Sequence, residues 1–330
     1  MPQRFRVLVT GAGLVPEAAQ KLADGGAEIE TLTGKVTEAT LLDAAARGVD
    51  AILMRGNPPI ARAVIAAMPQ LRVIAKHGAG VDSVDLAAAT EAGVLVMIAA
   101  DSNAAAVAEH TIALIMALGR DLLPLDARTK AGHWDRISYV GREIAGRTLG
   151  LVGFGRIGRR VGFVARVLGM RVVALPRRPG SVDPDLAEEM PDLGTLLRSA
   201  DIVSLHLPLT EETRGLIDAR ALSLMKPDAL LVNTARGGLV DEAALASALQ
   251  AGRIAGAALD NLAEEPPAPD CPLLTAPNLL LTPHIAGMTK AAMVRMGTIA
   301  ADNIIDVLTG RSLSLANIVN RDALKERTAS

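Results

Sequence analysis

Short apolar runs alternate with segments of helical period along the whole chain. The runs fall at 7–9, 51–54, 73–75, 94–98, 149–152, 172–175, 202–207, 230–232, 254–259 and 279–281. Continuously apolar runs of this length, separated by helix-length stretches, predict parallel strands covered by helices on both faces. Ten strands overfill one sheet in a chain of 330 residues, so two sheets and two domains are expected. The first cut is predicted between residues 97 and 104, where a strand ends and Asp101-Ser-Asn103 can cap an apolar helix over 104–118. A second cut is predicted near Thr289, where His284-Ile-Ala-Gly-Met-Thr289 gives way to another long helix over 290–308. The tail ending Ala316-Asn-Ile-Val-Asn320 is too small to fold alone and is expected to return to the first domain. The plan is thus a discontinuous domain of 1–100 and 290–330 with a domain of 101–289 inserted into it.

The inserted segment carries Leu149-Gly-Leu-Val-Gly-Phe-Gly-Arg-Ile-Gly158, which sets G-x-G-x-x-G at Gly153, Gly155 and Gly158. A helical pattern over 159–168 and a strand pattern over 171–175 follow it. Strand, glycine turn, helix and strand form the context that a dinucleotide pyrophosphate needs. The glycines permit the tight turn and close phosphate approach, and the helix N-terminus offers N–H groups and positive dipole. Thr10-Gly-Ala-Gly13 fails as such a loop, because Pro16 stands at the third position, and reads as a turn. Lys76-His-Gly-Ala-Gly-Val-Asp82 follows a strand and is either a tight turn or a nest of amides suited to a carboxylate.

Composition narrows the partners. Half the residues are hydrophobic, yet the chain holds only three Phe, one Tyr and one Trp, which implies an aliphatic, alanine-rich core. A net charge of −2 without a long basic run argues against nucleic acid and anionic membrane. The single Cys271 excludes an intrachain disulfide and a thiolate cluster, and no metal site is expected. Without a leader-like segment before Arg4-Phe-Arg-Val-Leu-Val-Thr10, and with the apolar stretch 111–118 too short to span a bilayer, a cytoplasmic protein is expected.

Three polar residues stand just past strands of the inserted domain: Arg236 after Leu230-Leu-Val-Asn-Thr-Ala, Glu265 beyond Asp260, and His284 after Leu279-Leu-Leu-Thr-Pro. In doubly wound folds, strand carboxyl ends face the ligand crevice. Hydride transfer between nicotinamide and a 2-hydroxy acid needs these types. A guanidinium grips the carboxylate and polarises the carbonyl, a histidine moves the hydroxyl proton, and a carboxylate holds the imidazole.

These residues stand in order with Asp201-Ile-Val-Ser-Leu-His-Leu-Pro-Leu-Thr210, Val232-Asn-Thr-Ala-Arg-Gly-Gly238, Asp260-Asn-Leu-Ala-Glu-Glu-Pro266, Thr282-Pro-His-Ile-Ala-Gly287 and Val107-Ala-Glu-His110. Together the motifs resemble the D-isomer-specific 2-hydroxyacid dehydrogenases over nearly the whole chain. The resemblance implies a Rossmann nucleotide-binding domain inserted into a flavodoxin-like substrate domain. It implies Arg236, Glu265 and His284 as the catalytic set. For the cofactor, NAD or NADP, it implies Gly153, Gly155, Arg156, Ile157, Gly158, His206, Leu207, Pro208, Thr213, Thr234, Ala235, Asp260, His284 and Gly287, with Asp260 at the nicotinamide end. The substrate carboxylate would be taken by His77, Gly78, Ala79 and Gly80 with Arg55, beside Arg236 and His284. His110 would be a helix residue and not a catalyst. The family's two-fold pairing, with the apolar 104–118 helix, implies a homodimer.

Three departures from the family pattern stand out. Pro176 occupies the place of the acid that binds the ribose hydroxyls, and Arg177 and Arg178 follow it, which favours NADPH. Asn261 replaces an apolar residue after Asp260, and Ile98-Ala-Ala-Asp-Ser102 replaces a proline-glycine turn. Three other functions fit less well. A catalytically silent dinucleotide sensor needs no acid/base pair. A tyrosine-dependent reductase would need lysine four residues after Tyr139, where Glu143 stands, and formate dehydrogenase has glutamine in place of Glu265.

Overall fold

The computed structural model describes residues 4–11 and 13–325. Ala12, within the Thr10–Gly13 turn, lies outside the described residues. The chain separates into two compact units, Met1–Asn103 with Met288–Ser330, and Ala104–Gly287.

In the first unit, β1 (Phe5–Thr10), β2 (Ala27–Leu32), β3 (Ala51–Met54), β4 (Val73–Lys76) and β5 (Leu95–Ile98) form a parallel sheet in the order β2-β1-β3-β4-β5. That is the flavodoxin-like strand order, and it reverses between β1 and β3. Strands β3 and β4 are buried at every position, which explains the unbroken apolar runs 51–54 and 73–75 within them. The helix Lys290–Thr309, capped by the Thr289 hydroxyl on the Ala292 amide at 3.1 Å, packs Ala300, Ala301, Ile304 and Ile305 into this core. The tail beyond it docks on the edge strand. Ile318 bridges Met97, and the buried Asn320 side chain accepts the Val96 amide at 2.8 Å and donates to the Val94 carbonyl at 2.9 Å.

The second unit holds β6 (Thr148–Val152), β7 (Arg171–Leu175), β8 (Glu188–Glu189), β9 (Ile202–Leu205), β10 (Leu230–Asn233), β11 (Gly256–Leu259) and β12 (Leu279–Leu281). They pair in parallel as β12-β11-β10-β9-β6-β7-β8, the doubly wound Rossmann order. The order reverses between β6 and β9, which places a ligand crevice at their carboxyl ends.

Twelve strands among the described residues replace the ten expected. Strand β2 (AEIETL) was missed because it lies at a sheet edge and alternates polar with apolar positions, and β8 because it is two glutamates. Within the expected cap at 101–103, Ser102 turns its hydroxyl back onto the Ala99 carbonyl at 2.6 Å. Among the described residues, no helix is long and apolar enough to cross a membrane, and no group of three or more His, Cys, Asp or Glu could hold a metal.

Candidate active site

The turn after β6 is shaped by its glycines. Gly153 has φ +97°, and a side chain there would meet the His206 carbonyl oxygen at 2.4 Å, so the β6 and β9 ends can approach only around glycine. A Cβ on Gly158 would lie 2.5 Å from the Gly153 carbonyl, whereas one on Gly155 would meet nothing within 4 Å. Open space therefore lies at Gly155, the N-cap of the helix Arg156–Val167, whose first turn has no side-chain cap. The amides of Arg156 and Ile157 begin that helix, so this cradle fits a pyrophosphate.

Around the cradle, His206 is held by the Ser204 hydroxyl at 2.9 Å, and burial pushes its imidazole down to about 4. Leu207 is half-buried and Pro208 exposed. The Thr213 hydroxyl is occupied within its own turn, donating to the Pro208 carbonyl at 2.8 Å and accepting the Thr210 amide at 2.7 Å. Past β7, Arg177 and Arg178 are exposed, and Glu189 shapes the following loop by accepting the Gly180 amide at 2.8 Å and the Val182 amide at 3.3 Å. Arg159, which the motifs did not single out, reaches the same loop by donating to the Ser181 carbonyl at 2.9 Å.

At the far side of the crevice, Glu265 and His284 meet. His284 Nδ1 lies 2.8 Å from Glu265 Oε2, and the carboxylate's other oxygen accepts the Leu262 amide at 3.2 Å. His284 sits in the left-handed region at φ +54°, a conformation fixed by its amide bonds to the Asp260 and Thr282 carbonyls at 2.7 and 3.0 Å. Arg236 donates through Nη1 to the Ala235 carbonyl at 2.7 Å, and the Asn233 side chain ties the Ala235 amide and the Arg236 carbonyl together. Gly237 allows this loop to touch the next one: a Cβ there would fall 1.9 Å from the Leu262 carbonyl carbon. The Arg236 loop and the segment leading to Glu265 thus meet backbone to backbone.

Asp260, with a fully buried side chain, holds the loop that bears His284. Oδ1 accepts the Thr282 hydroxyl at 2.6 Å and the Ile285 amide at 2.9 Å, and Oδ2 accepts the Ala286 amide at 2.8 Å, one residue before Gly287. Neighbouring Asn261 is buried with neither side-chain atom hydrogen-bonded. Thr234 is buried, its hydroxyl 2.8 Å from that of Thr111. Thr111 and Thr282 join the candidate site residues; in the sequence Thr282 opens the Thr282–Gly287 motif, and Thr111 stands just after the Val107–His110 motif.

In the first unit, Arg55 and His77 follow the paired residues Met54 and Lys76 at the ends of β3 and β4. The Arg55 backbone is clamped on both sides by the Thr10 hydroxyl at 3.0 and 2.8 Å. Burial lowers the Arg55 pKa, and burial with repulsion from Arg55 pushes His77 down to about 4. Arg55 Nη1 and His77 Nε2 are buried without hydrogen-bond partners. Lys76 donates to the Gly56 carbonyl and to Asn57 Oδ1. The loop Gly78, Ala79 and Gly80 continues from His77, with Gly78 at φ +124°.

Residues 112–286 match the model of the D-isomer specific 2-hydroxyacid dehydrogenase NAD-binding domain. The chain belongs to the D-isomer-specific 2-hydroxyacid dehydrogenase family. It is 40% identical over 317 residues to D-3-phosphoglycerate dehydrogenase of Methanocaldococcus jannaschii, covering 96% of this chain and 59% of that one. The chain therefore spans about three fifths of the length of such relatives, as the 59% coverage shows. Identity to (S)-sulfolactate dehydrogenase of Chromohalobacter salexigens is 41% over 288 residues, 84% of this chain and 93% of that one. A solved NADPH-dependent glyoxylate/hydroxypyruvate reductase of Sinorhizobium meliloti, in complex with NADP and malonate, matches with a TM-score of 0.85 at 31% identity. That match covers 97% of this chain and 98% of the reductase.

Proposed function

We propose that this family member interconverts a small D-2-hydroxy acid and its 2-keto acid with NAD(P). The observation that carries the reading is the 2.8 Å pair of His284 and Glu265 at strand ends in the domain that carries the dinucleotide turn. A dinucleotide held by its pyrophosphate at Gly153–Gly158 would supply or accept the hydride through its nicotinamide. The chain's residues do the rest. Arg236 grips the acid's carboxylate through its forked guanidinium and draws charge toward the carbonyl oxygen. His284, with Nδ1 engaged by Glu265, gives or takes the hydroxyl proton at Nε2. Asp260 keeps that imidazole in place through the loop it ties down.

Residues 101–289 act in this reading as the nucleotide domain, and 1–100 with 290–330 as the substrate domain. In the latter, Arg55, His77 and the amides of Gly78, Ala79 and Gly80 receive the acid. Two buried, unpartnered nitrogens favour a substrate with a second anionic group, as phosphoglycerate and sulfolactate carry. Pro176, Arg177 and Arg178 favour NADPH over NADH.

The reading extends to a cytoplasmic homodimer. Its support is an apolar surface on the second unit, where Leu122, Leu123, Trp134, Ile137, Val140 and Phe163 are more than half exposed. A monomer by light scattering at micromolar concentration contradicts it. The test of function is a panel of 3-phosphohydroxypyruvate, hydroxypyruvate and glyoxylate with NADH and NADPH. Keto-acid reduction is expected, and His284→Ala is expected to lose about a hundredfold or more. Near wild-type activity in that variant sinks the mechanism.

A further inference from the structure

The helix Ala104–Gly119 buries Ala104, Ala106, Val107, Ala108, Leu114 and Ile115, which suffice to seat it against the sheet. Three polar residues interrupt this apolar stretch, the exposed Glu109 followed by His110 and Thr111. Thr111 is fully buried. Its hydroxyl donates to the Val107 carbonyl at 2.8 Å, so it can only accept from Thr234, 2.8 Å away. Thr234 stands two residues before Arg236 in the loop after β10. His110 Nε2 lies 3.2 Å from the Thr282 hydroxyl, whose proton goes to Asp260 at 2.6 Å. The imidazole therefore donates to Thr282, and through it supports the carboxylate that accepts the Ile285 and Ala286 amides beside His284. Adjacent residues of one helix thus reach the loops that carry Arg236 and His284.

Buried hydroxyl and imidazole groups cost stability relative to apolar side chains unless each donor and acceptor is matched. Apart from the Thr111 bond to the Val107 carbonyl of its own helix, the matches go to two loops far apart in sequence, after β10 and after β12. We propose that His110 and Thr111 are positioning residues that hold the Arg236 loop and the His284 loop in mutual register from a single rigid helix. Neither touches the reacting atoms in this scheme; Thr111 acts through Thr234, and His110 through Thr282 and the Asp260 carboxylate, whose Oδ1 lies 3.7 Å from its Nε2. The inference rests on the roles given above to Arg236 and His284.

The test compares Thr111→Val and His110→Leu, which remove the bonds at similar volume, with Thr111→Ser and His110→Gln, which keep a hydroxyl and an N–H donor. In the first pair kcat is expected to fall roughly tenfold to a hundredfold, since misplacement of about 1 Å at a reacting group costs that much. KM for the nicotinamide cofactor is expected to change less than kcat, because the Gly153 turn that would hold the pyrophosphate is untouched. The Ser and Gln variants are expected to recover most of the kcat. Hydrogen exchange followed by mass spectrometry supplies a readout independent of turnover. Thr111→Val is expected to speed exchange in peptides covering 230–238, and His110→Leu in those covering 278–288, with the rest of the second unit unchanged. Unchanged exchange in both loops overturns the proposal, as does faster exchange throughout the unit or a kcat loss that Ser and Gln fail to restore. A wild-type enzyme idle on every keto acid, or an active His284→Ala, overturns the functional reading instead, while the exchange pattern still decides the bracing.

Discussion

Exchanging Asp260 for asparagine changes one oxygen into an NH2 group and almost nothing in shape. In the native protein Oδ1 serves two donors, Thr282 and Ile285, and Oδ2 serves the Ala286 amide. The asparagine carbonyl takes the Oδ1 place, so its NH2 then faces the Ala286 N–H, donor against donor. One buried amide left unsatisfied costs about 1–3 kcal/mol, and the two surviving bonds lose their charge assistance, about 1 kcal/mol each. The sum is roughly 3–5 kcal/mol. At about 2–4 °C per kcal/mol for a domain of this size, the midpoint of the second unit falls by roughly 6–20 °C. Differential scanning calorimetry reads the shift directly, and keto-acid reduction reads the looser His284 loop. Asp260→Ala, which strands three donors, is expected to fall further. A midpoint for Asp260→Asn within about 2 °C of wild type, with unchanged kcat, would refute the assignment of this carboxylate as the clamp of the loop.

Cofactor choice follows from the loop after β7: each charge-assisted contact to a 2′-phosphate is worth about 1.5–3 kcal/mol, so kcat/KM is expected to favour NADPH about tenfold or more, and less in Arg177→Ala or Arg178→Ala. An equal or greater kcat/KM with NADH contradicts this. Burial holds His77 and His206 down to about 4, below the ordinary 6.5, so the unfolded chain binds protons that the native one does not. Their contribution is fully present above about pH 6.5 and is lost as pH falls toward 4, at up to roughly 1.4 kcal/mol per pH unit for each. Urea midpoints should drop between pH 7 and pH 4.5, with a shallower drop in His77→Gln; identical slopes in both proteins count against it. Asn261→Val removes two buried, unpartnered polar atoms and is expected to leave the midpoint unchanged or raised, whereas a fall would mean the amide has a partner in solution.

The sequence by itself determined the architecture wherever a strand is buried on both faces. Strands such as β3, β4 and β10 lie inside parallel sheets, so all their positions except the last residues of β4 and β10, Lys76 and Asn233, are apolar and the run announces itself. The glycine turn was legible for a similar reason: only glycine tolerates φ +97° with a carbonyl 2.4 Å from its missing Cβ. Edge strand β2 and the two-residue β8 were not legible, since one half-exposed edge and two glutamates carry no such constraint. Of the candidate site, residue types and strand-end positions of Arg236, Glu265 and His284 could be read from the chain. Their partnership could not. The 2.8 Å Glu265–His284 contact, the Gly237–Leu262 backbone approach and the full engagement of Asp260 with the His284 loop join segments whose spacing in sequence says nothing of distance. The bonds of His110 and Thr111 to loops more than a hundred residues away exist only because parallel strands β10, β11 and β12 bring their carboxyl ends to one edge of the same sheet.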